Sequence, residues 1–261
     1  MKKFALILSS ALLASGFFVA CDSVEEDERY IPIEKQEAKR VVLVEEFTGM
    51  SCTNCPDGHQ AIHNLLEAYP ESVIPVCIHS GDAGLILDPT QRLKLDIPAG
   101  QEYYRNAGSP ALPAAVINMQ TSALQVPNWA SSVVEIMAKD TPLTLSATAN
   151  FTADKKSIDI DVDMSSVDPL NGKLLVWVCE NNIVGYQLDH GKHVLDYVHN
   201  HVLRAVVNDT WGESVSLTAN NPTTISYSQP MQEDWVPENT YIVAFVYNDT
   251  GVVQAAQCEI K

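Results

Sequence analysis

Val41, Val42, Leu43 and Val44 form an apolar run without the alternation of a half-solvated strand. Such a run predicts a strand over 41–47 that is covered on both faces. Gly49 breaks it. Pro56 then suits the first turn of a helix, where its missing N–H costs nothing, and Ile62, Leu65, Leu66 and Tyr69 follow on one helical face. Residues 73–78 predict a second buried strand, which a right-handed crossover places parallel to the first. Residues 81–95 read as an irregular insertion. Beyond them come a short helix at 99–107, a strand at 114–117, a weak strand at 122–126 and a helix over 127–139.

Past Pro142 the pattern changes. Strands are predicted at 143–151, 157–164, 173–179, 183–188, 201–207, 214–217, 223–227, 241–247 and 252–259, with turns that include Asn171-Gly172 and Asp249-Thr250-Gly251. Ile158, Ile160 and Val162 alternate with Asp159, Asp161 and Asp163, as in a strand with one wet face. The expectation is an α/β domain over 39–140 followed by an all-β antiparallel sandwich of immunoglobulin-like type over 141–261.

The first 38 residues have a different character. Lys2 and Lys3 precede an apolar stretch from Phe4 to Ala14, too short to span a bilayer, and Phe17-Phe18-Val19-Ala20 leads into Cys21. This is the build of a secretory signal peptide over 1–20. A small residue followed by cysteine resembles the cleavage box of bacterial lipoproteins, although Phe18 stands where leucine is usual. On that resemblance Cys21 is acylated and ties the chain to a membrane; on the plain alternative Cys21 is a stray thiol. Asp22 to Glu28 is an acidic run without core residues, so 21–38 reads as a tether. An acidic run at this place also resembles a signal for surface export. Loss of Lys2 and Lys3 takes the formal charge from −17 to −19. A chain this acidic repels phosphate backbones, which excludes nucleic acid as a partner.

The chemistry is concentrated in Cys52-Thr53-Asn54-Cys55. Two thiols at the mouth of a helix meet its unpaired N–H groups and positive dipole end, which favour a thiolate. A first thiol attacks a disulfide and a second, three residues on, resolves the mixed disulfide. Cys52 is expected to attack, as the member nearer the exposed helix end, and Cys55 to resolve. A structural disulfide is the plain alternative.

The strand–turn–C-x-x-C–helix segment from Val41 to Pro56 resembles the active-site segment of thioredoxin-like proteins. More narrowly, its Glu-Phe-Thr-Gly and Cys-Thr-Asn-Cys-Pro resemble a family of bacterial outer-membrane lipoproteins related to a 28-kilodalton outer membrane protein. The family likeness extends into the second half, including Tyr197 to Arg204. It implies a thioredoxin-like first domain. It also implies that Glu46, six residues before Cys52, takes the proton of the resolving thiol. Adjacent Glu45 leaves that assignment open by one residue, which would flip the face. Pro113 matches the cis-proline that opens a strand beside the cysteines and frees the Leu112 backbone for a substrate strand, with Pro110 as competitor.

The remaining candidates have plainer readings. Cys77 reads as a buried inert thiol, and a Cys179–Cys258 disulfide stays open, since spacing cannot decide it. His59 and His63 with the two cysteines, or His199 and His201 on one strand face near His190 and His193, would suit a metal, but surface or capping histidines are the favoured reading of both. No metal or dissociable cofactor is assigned. Trp177, Trp211 and Trp235 suit a core, and Arg204 suits pairing with one of many acids. The sequence thus predicts a cell-envelope, outer-membrane lipoprotein, on its periplasmic or surface face, exchanging disulfides with protein thiols through Cys52 and Cys55. The alternative is a surface-anchored binding or adhesion lipoprotein in which the pair is structural.

Overall fold

The computed structural model describes residues 40–261. The signal peptide, Cys21 and the acidic tether lie outside the described residues. Strand β1 (Val42–Thr48) is buried along its whole length, as is its parallel partner β2 (Val73–His79), and helix α1 (Cys55–Ala68) connects them. A four-residue turn α2 (Ala83–Ile86) and helix α3 (Pro98–Asn106) precede strand β3 (Ala114–Ile117), which runs antiparallel to β1. Helix α4 (Trp129–Met137) closes this half. The expected strand at 122–126 is reduced to one bridge between Ala115 and Leu124.

The second half supplies β4 (Leu143–Phe151), β5 (Ser157–Ser166), β6 (Leu170–Glu180), β7 (Ile183–Asp189), β8 (Lys192–His199), β9 (Val202–Val206), β10 (Glu213–Leu217), β11 (Thr223–Pro230), β12 (Thr240–Asn248) and β13 (Gly251–Glu259). Strands from both halves join in one eight-stranded sheet in the order β13-β12-β6-β9-β2-β1-β3, with β10 also paired to β6. The seam is narrow. Cys77 of β2 pairs with Val202 of β9, and the Cys77 amide donates to the His201 carbonyl at 2.7 Å.

This sheet overturns the expected fold class of a thioredoxin-like α/β domain followed by a separate immunoglobulin-like antiparallel sandwich. β9 is parallel to β2 and antiparallel to β6, so the sheet is mixed and runs through both halves. The small sheet β11-β5-β4 packs on only part of it, through Ile158, Ile160 and Val162 against Val176, Ile242 and Ala244. The opposite face of β6 and β12 is also buried. There Trp177, Leu175, Val243 and Phe245 meet Tyr103 and Tyr104 of α3. Strands covered on both faces need continuous apolar runs. Leu174–Cys179 and Tyr241–Val246 are such runs, where β4 and β5 alternate.

Three local expectations also change. Asn171-Gly172 lies inside β6 and is no turn; a Cβ on Gly172 would come within 2.7 Å of the Tyr247 carbonyl oxygen of the neighbouring strand. β8, which the pattern does not predict, is a largely exposed strand whose apolar residues fall in adjacent pairs rather than alternating. Cys179 and Cys258 are free, because β12 stands between β6 and β13 and pairs Tyr241 with Cys179 and Ile242 with Cys258. Two strand spacings, about 9.5 Å, exceed the Cα separation that a disulfide tolerates.

A shared sheet makes the halves unfold together. Circular dichroism and tryptophan fluorescence are expected to report one urea midpoint. Trp177→Ala, which empties the face under α3, should lower stability by about 3–5 kcal/mol and shift both signals equally. Separate midpoints would mean that the seam does not couple the halves.

Candidate functional site

β1 ends at Thr48, and the chain turns under residues 85–87. A Cβ on Gly49 would fall 2.5 Å from the Leu85 carbonyl oxygen, so only glycine fits. The Ser51 amide donates to that carbonyl and its hydroxyl to the Leu87 carbonyl, both at 2.7 Å. The loop then carries Cys52 to Cys55, the first residue of α1, and the two are disulfide-bonded with Cα atoms 5.5 Å apart. Pro56 occupies the first helical turn as expected, and Asp57 there suits the positive helix end.

The loop is roofed. The β7–β8 hairpin lies over it, with the Gln187 side-chain amide donating to the carbonyls of Gly49 and Cys52 at 3.3 and 3.0 Å. Its backbone adds Leu188 N–H to the Met50 carbonyl at 2.8 Å and His190 N–H to the Thr53 carbonyl at 3.0 Å. The Gly191 amide donates to the Thr53 hydroxyl, also at 3.0 Å. His190 lies 3.3 Å from Asp57 and bonds Asp189, and both raise its pKa, the Asp189 bond most. Cys52 is left 4% exposed and Cys55 0%. The expected open thiol at the helix mouth is therefore covered, although what access remains belongs to Cys52.

Beneath the loop lies a buried polar cluster. Glu46 points from β1 toward α1, and the Cys77 thiol on β2 donates to its Oε2 at 3.1 Å. Its Oε1 has no hydrogen-bond partner. That oxygen lies against Gly58, one turn past Cys55, where an added Cβ would approach it to 2.3 Å and Pro113 and Trp129 to 3.0 Å. Glu46 is thus the acid on the disulfide side of β1, and Glu45 faces the other way. Burial raises the Glu46 carboxyl to about 8 against the opposing Cys77 bond, and the same burial, with Glu46 beside it, lifts the Cys77 thiol. His59 Nε2 stands 3.8 Å from Oε1 and 3.0 Å from the Thr48 hydroxyl, while its Nδ1 meets the Tyr197 hydroxyl at 2.6 Å. Desolvation, then His199 and His201, lower His59 to about 3. His79 has neither ring nitrogen bonded, and its ring stands 5.4 Å from His199, whose Nδ1 is also unpaired.

The Leu112–Pro113 bond is cis, and Pro113 opens β3 beside β1; Pro110 is not the cis residue. Sequence reasoning thus places Cys52, Cys55, Glu46 and Pro113 around the first turn of α1. It misses Gln187 and Tyr197 and gives His199 only as a candidate metal ligand, because β8, which completes the hairpin, has no alternating apolar period. His199 and His201 do not share a strand: β8 ends at His199, and His201 takes a positive φ of 58° before β9. His63 pairs with exposed Glu67, away from His59. Arg204 is held between Glu180, at 3.3 Å, and Asp234.

A family model described as outer membrane protein Omp28 matches residues 100–261. The chain belongs to the Omp28 family. The matched span includes Pro113 and the hairpin but begins after Cys52 and Cys55. Membership places this Omp28-family chain at the outer membrane of the cell envelope. Among solved structures, HBP35 of Porphyromonas gingivalis is similar over 85% of this chain and 76% of its own, with 17% identity and a TM-score of 0.68. Protein AGR_C_4864 from Agrobacterium tumefaciens is similar over 84% of this chain and 94% of its own, with 16% identity and a TM-score of 0.51. At these identities the likeness is one of fold alone. A domain of the outer membrane lipoprotein Omp28 from P. gingivalis is 23% identical over 46% of this chain and 89% of its own, with a TM-score of 0.33. Compared with curated proteins, the chain matches none.

The buried groups predict how stability follows pH. His59, His199 and His201, lowered to about 3, 4 and 4 by burial, and His79, lowered likewise, bind protons in the unfolded chain first. Their contribution is lost as pH falls below the unfolded value near 6.5. Glu45 and Glu46, raised to about 8, keep their protons only when folded, so their contribution is lost as pH rises from about 4.5 to 8. Urea midpoints should peak at about pH 6.5. Glu46→Gln should flatten the alkaline side; an unchanged alkaline slope would mean that Glu46 titrates normally.

Proposed function

We propose that this protein is an envelope lipoprotein, held to the outer membrane through acylated Cys21, whose Cys52–Cys55 pair exchanges disulfides with protein thiols. Among the described residues no helix is long and apolar enough to cross a membrane, and a lipid anchor supplies the attachment that the family location calls for. The structure holds the pair as the disulfide; in the reducing direction, once a dithiol donor has reduced it, the Cys52 thiolate attacks a substrate disulfide, forms a mixed disulfide and expels one substrate thiolate. Cys55 then loses its proton to Glu46, in the fraction of molecules whose carboxyl is ionised, and attacks the Cys52 sulfur, which re-forms the pair and releases the second thiolate. Two electrons pass to the substrate, and no dissociable cofactor enters. The helix end lowers the energy of the attacking thiolate, and the acidity of the chain, −17 before and −19 after loss of Lys2 and Lys3, argues against nucleic acid as a partner.

The observation that carries this reading is the Oε1 of Glu46, a buried carboxyl oxygen without a hydrogen-bond partner against the first turn of the disulfide helix. An orphaned oxygen of this kind costs about 1–3 kcal/mol, and a purely structural disulfide has no use for it. Glu46 with a pKa near 8 is matched to receiving and releasing a proton at neutral pH. The second reading, an anchored binding protein with a structural disulfide, is favoured by the roof over Cys52.

Equilibration against glutathione buffers separates the two. A resolvable potential above about −300 mV is expected for the exchanging pair, and a pair that stays oxidised below it is structural. Cys55→Ser should accumulate mixed disulfides through Cys52, whereas the structural reading traps nothing. Glu46→Gln should leave the first attack unchanged and slow resolution by roughly 10²-fold or more; equal resolution rates would remove the proton-acceptor role.

A further inference from the structure

Glu45 follows the opposite course to its neighbour. The pleat turns it to the other face of β1, where it lines a cavity of about 290 Å³ together with Phe47, Tyr103, Met119 and Trp211. It is 4% exposed, and among the described residues no hydrogen bond or ion pair is made to its carboxyl. The aromatic groups beside it are already engaged. The Tyr103 hydroxyl donates to the Thr210 carbonyl at 2.6 Å and accepts from the Trp177 indole at 3.2 Å, and Trp211 stands edge-on to Tyr103 at 5.1 Å. A carboxyl with this little water and no partner is costly to bury, yet it opens onto space rather than onto packed side chains. Aromatic faces around a carboxylate are what a desolvated cation prefers, and the acidic surface concentrates cations near the mouth.

We propose that this cavity binds a small organic ammonium ion, with its nitrogen against the Glu45 carboxylate and its apolar body among Phe47, Tyr103 and Trp211. The volume, near the lower end for small-molecule sites, admits a short amine and not a peptide. The site lies on the face of β1 away from the disulfide and stands independently of the thiol-exchange reading. Among the described residues lining it, Glu45 and Tyr103 are the titratable groups, and Tyr247 of β12 lies near enough to feel the Glu45 charge. Burial raises both tyrosines, Tyr103 further, so Glu45, raised to about 8 by desolvation, is the group that titrates between pH 6 and 9.

The test is calorimetric titration of the full chain with n-butylammonium and with n-butanol at millimolar concentrations. Binding of the ammonium ion is expected to saturate, to release a proton below pH 8, and to tighten roughly tenfold per pH unit up to about pH 8. Glu45→Gln should weaken it at least tenfold and abolish the pH dependence. Trp211→Leu, which leaves the carboxyl in place, should weaken binding while keeping that dependence. Absence of saturable binding to the unaltered chain, equal binding by Glu45→Gln, or butanol binding as well as butylammonium would each overturn the proposal.

Discussion

Burying β1 on both of its faces is the constraint from which the rest follows. A strand in that position is normally apolar throughout, because each polar group placed there must find a partner or lose its charge. This strand carries two adjacent carboxyls, and adjacency means opposite faces. Glu46 is directed at α1, Cys77 and His59, and Glu45 at the α3 side. Glu46 sits in a polar recess and Glu45 in a cavity with Phe47, Tyr103 and Trp211 in its walls, and burial lifts both to about 8. At neutral pH both are largely protonated, so the sheet carries them as neutral carboxyls rather than as buried charges.

Much of the local structure was legible in the sequence. The run Val41–Val44, Gly49 and Pro56 fix strand, turn and helix start, because each depends only on neighbours in the chain. The cysteine pair follows from that frame, whereas Pro113 came from the resemblance to thioredoxin-like proteins. What could not be read was pairing between distant strands. The seam rests on a single register pair, Cys77 with Val202, and neither residue type announces it. A signal did exist in the unalternating runs of β6 and β12, which demand cover on both faces and do not suit a sandwich with solvated outer surfaces. The α3 helix supplies that cover through Tyr103 and Tyr104, and in doing so binds the first half to the second.

The hairpin is the other element that the pattern concealed. β8 exposes Lys192, His193, Leu195 and Asp196, so it lacks the period of a packed strand, and it is held by hydrogen bonds at its tip and along its inner side. Those bonds are made mostly by backbone groups, which every residue carries, so no side-chain motif betrays them. Tyr197 and His199, which the hairpin lowers onto His59 and His79, were for the same reason unreadable as parts of the site.

Cover and chemistry can be weighed against each other. Gln187, Leu188, His190 and Gly191 hold the loop by five hydrogen bonds, two of them from the Gln187 amide. At ~1 kcal/mol each, their loss leaves roughly one molecule in a few thousand uncovered. The Tyr197–His59 bond and the packing of Tyr186 against Met50 reduce that fraction further. A thiolate made more reactive by the helix end gains nothing while it cannot be reached. If the pair exchanges disulfides as proposed, its access is governed by what lifts the hairpin, and a substrate whose own backbone replaces the bonds to Gly49, Met50 and Thr53 would be favoured over a small disulfide that replaces none.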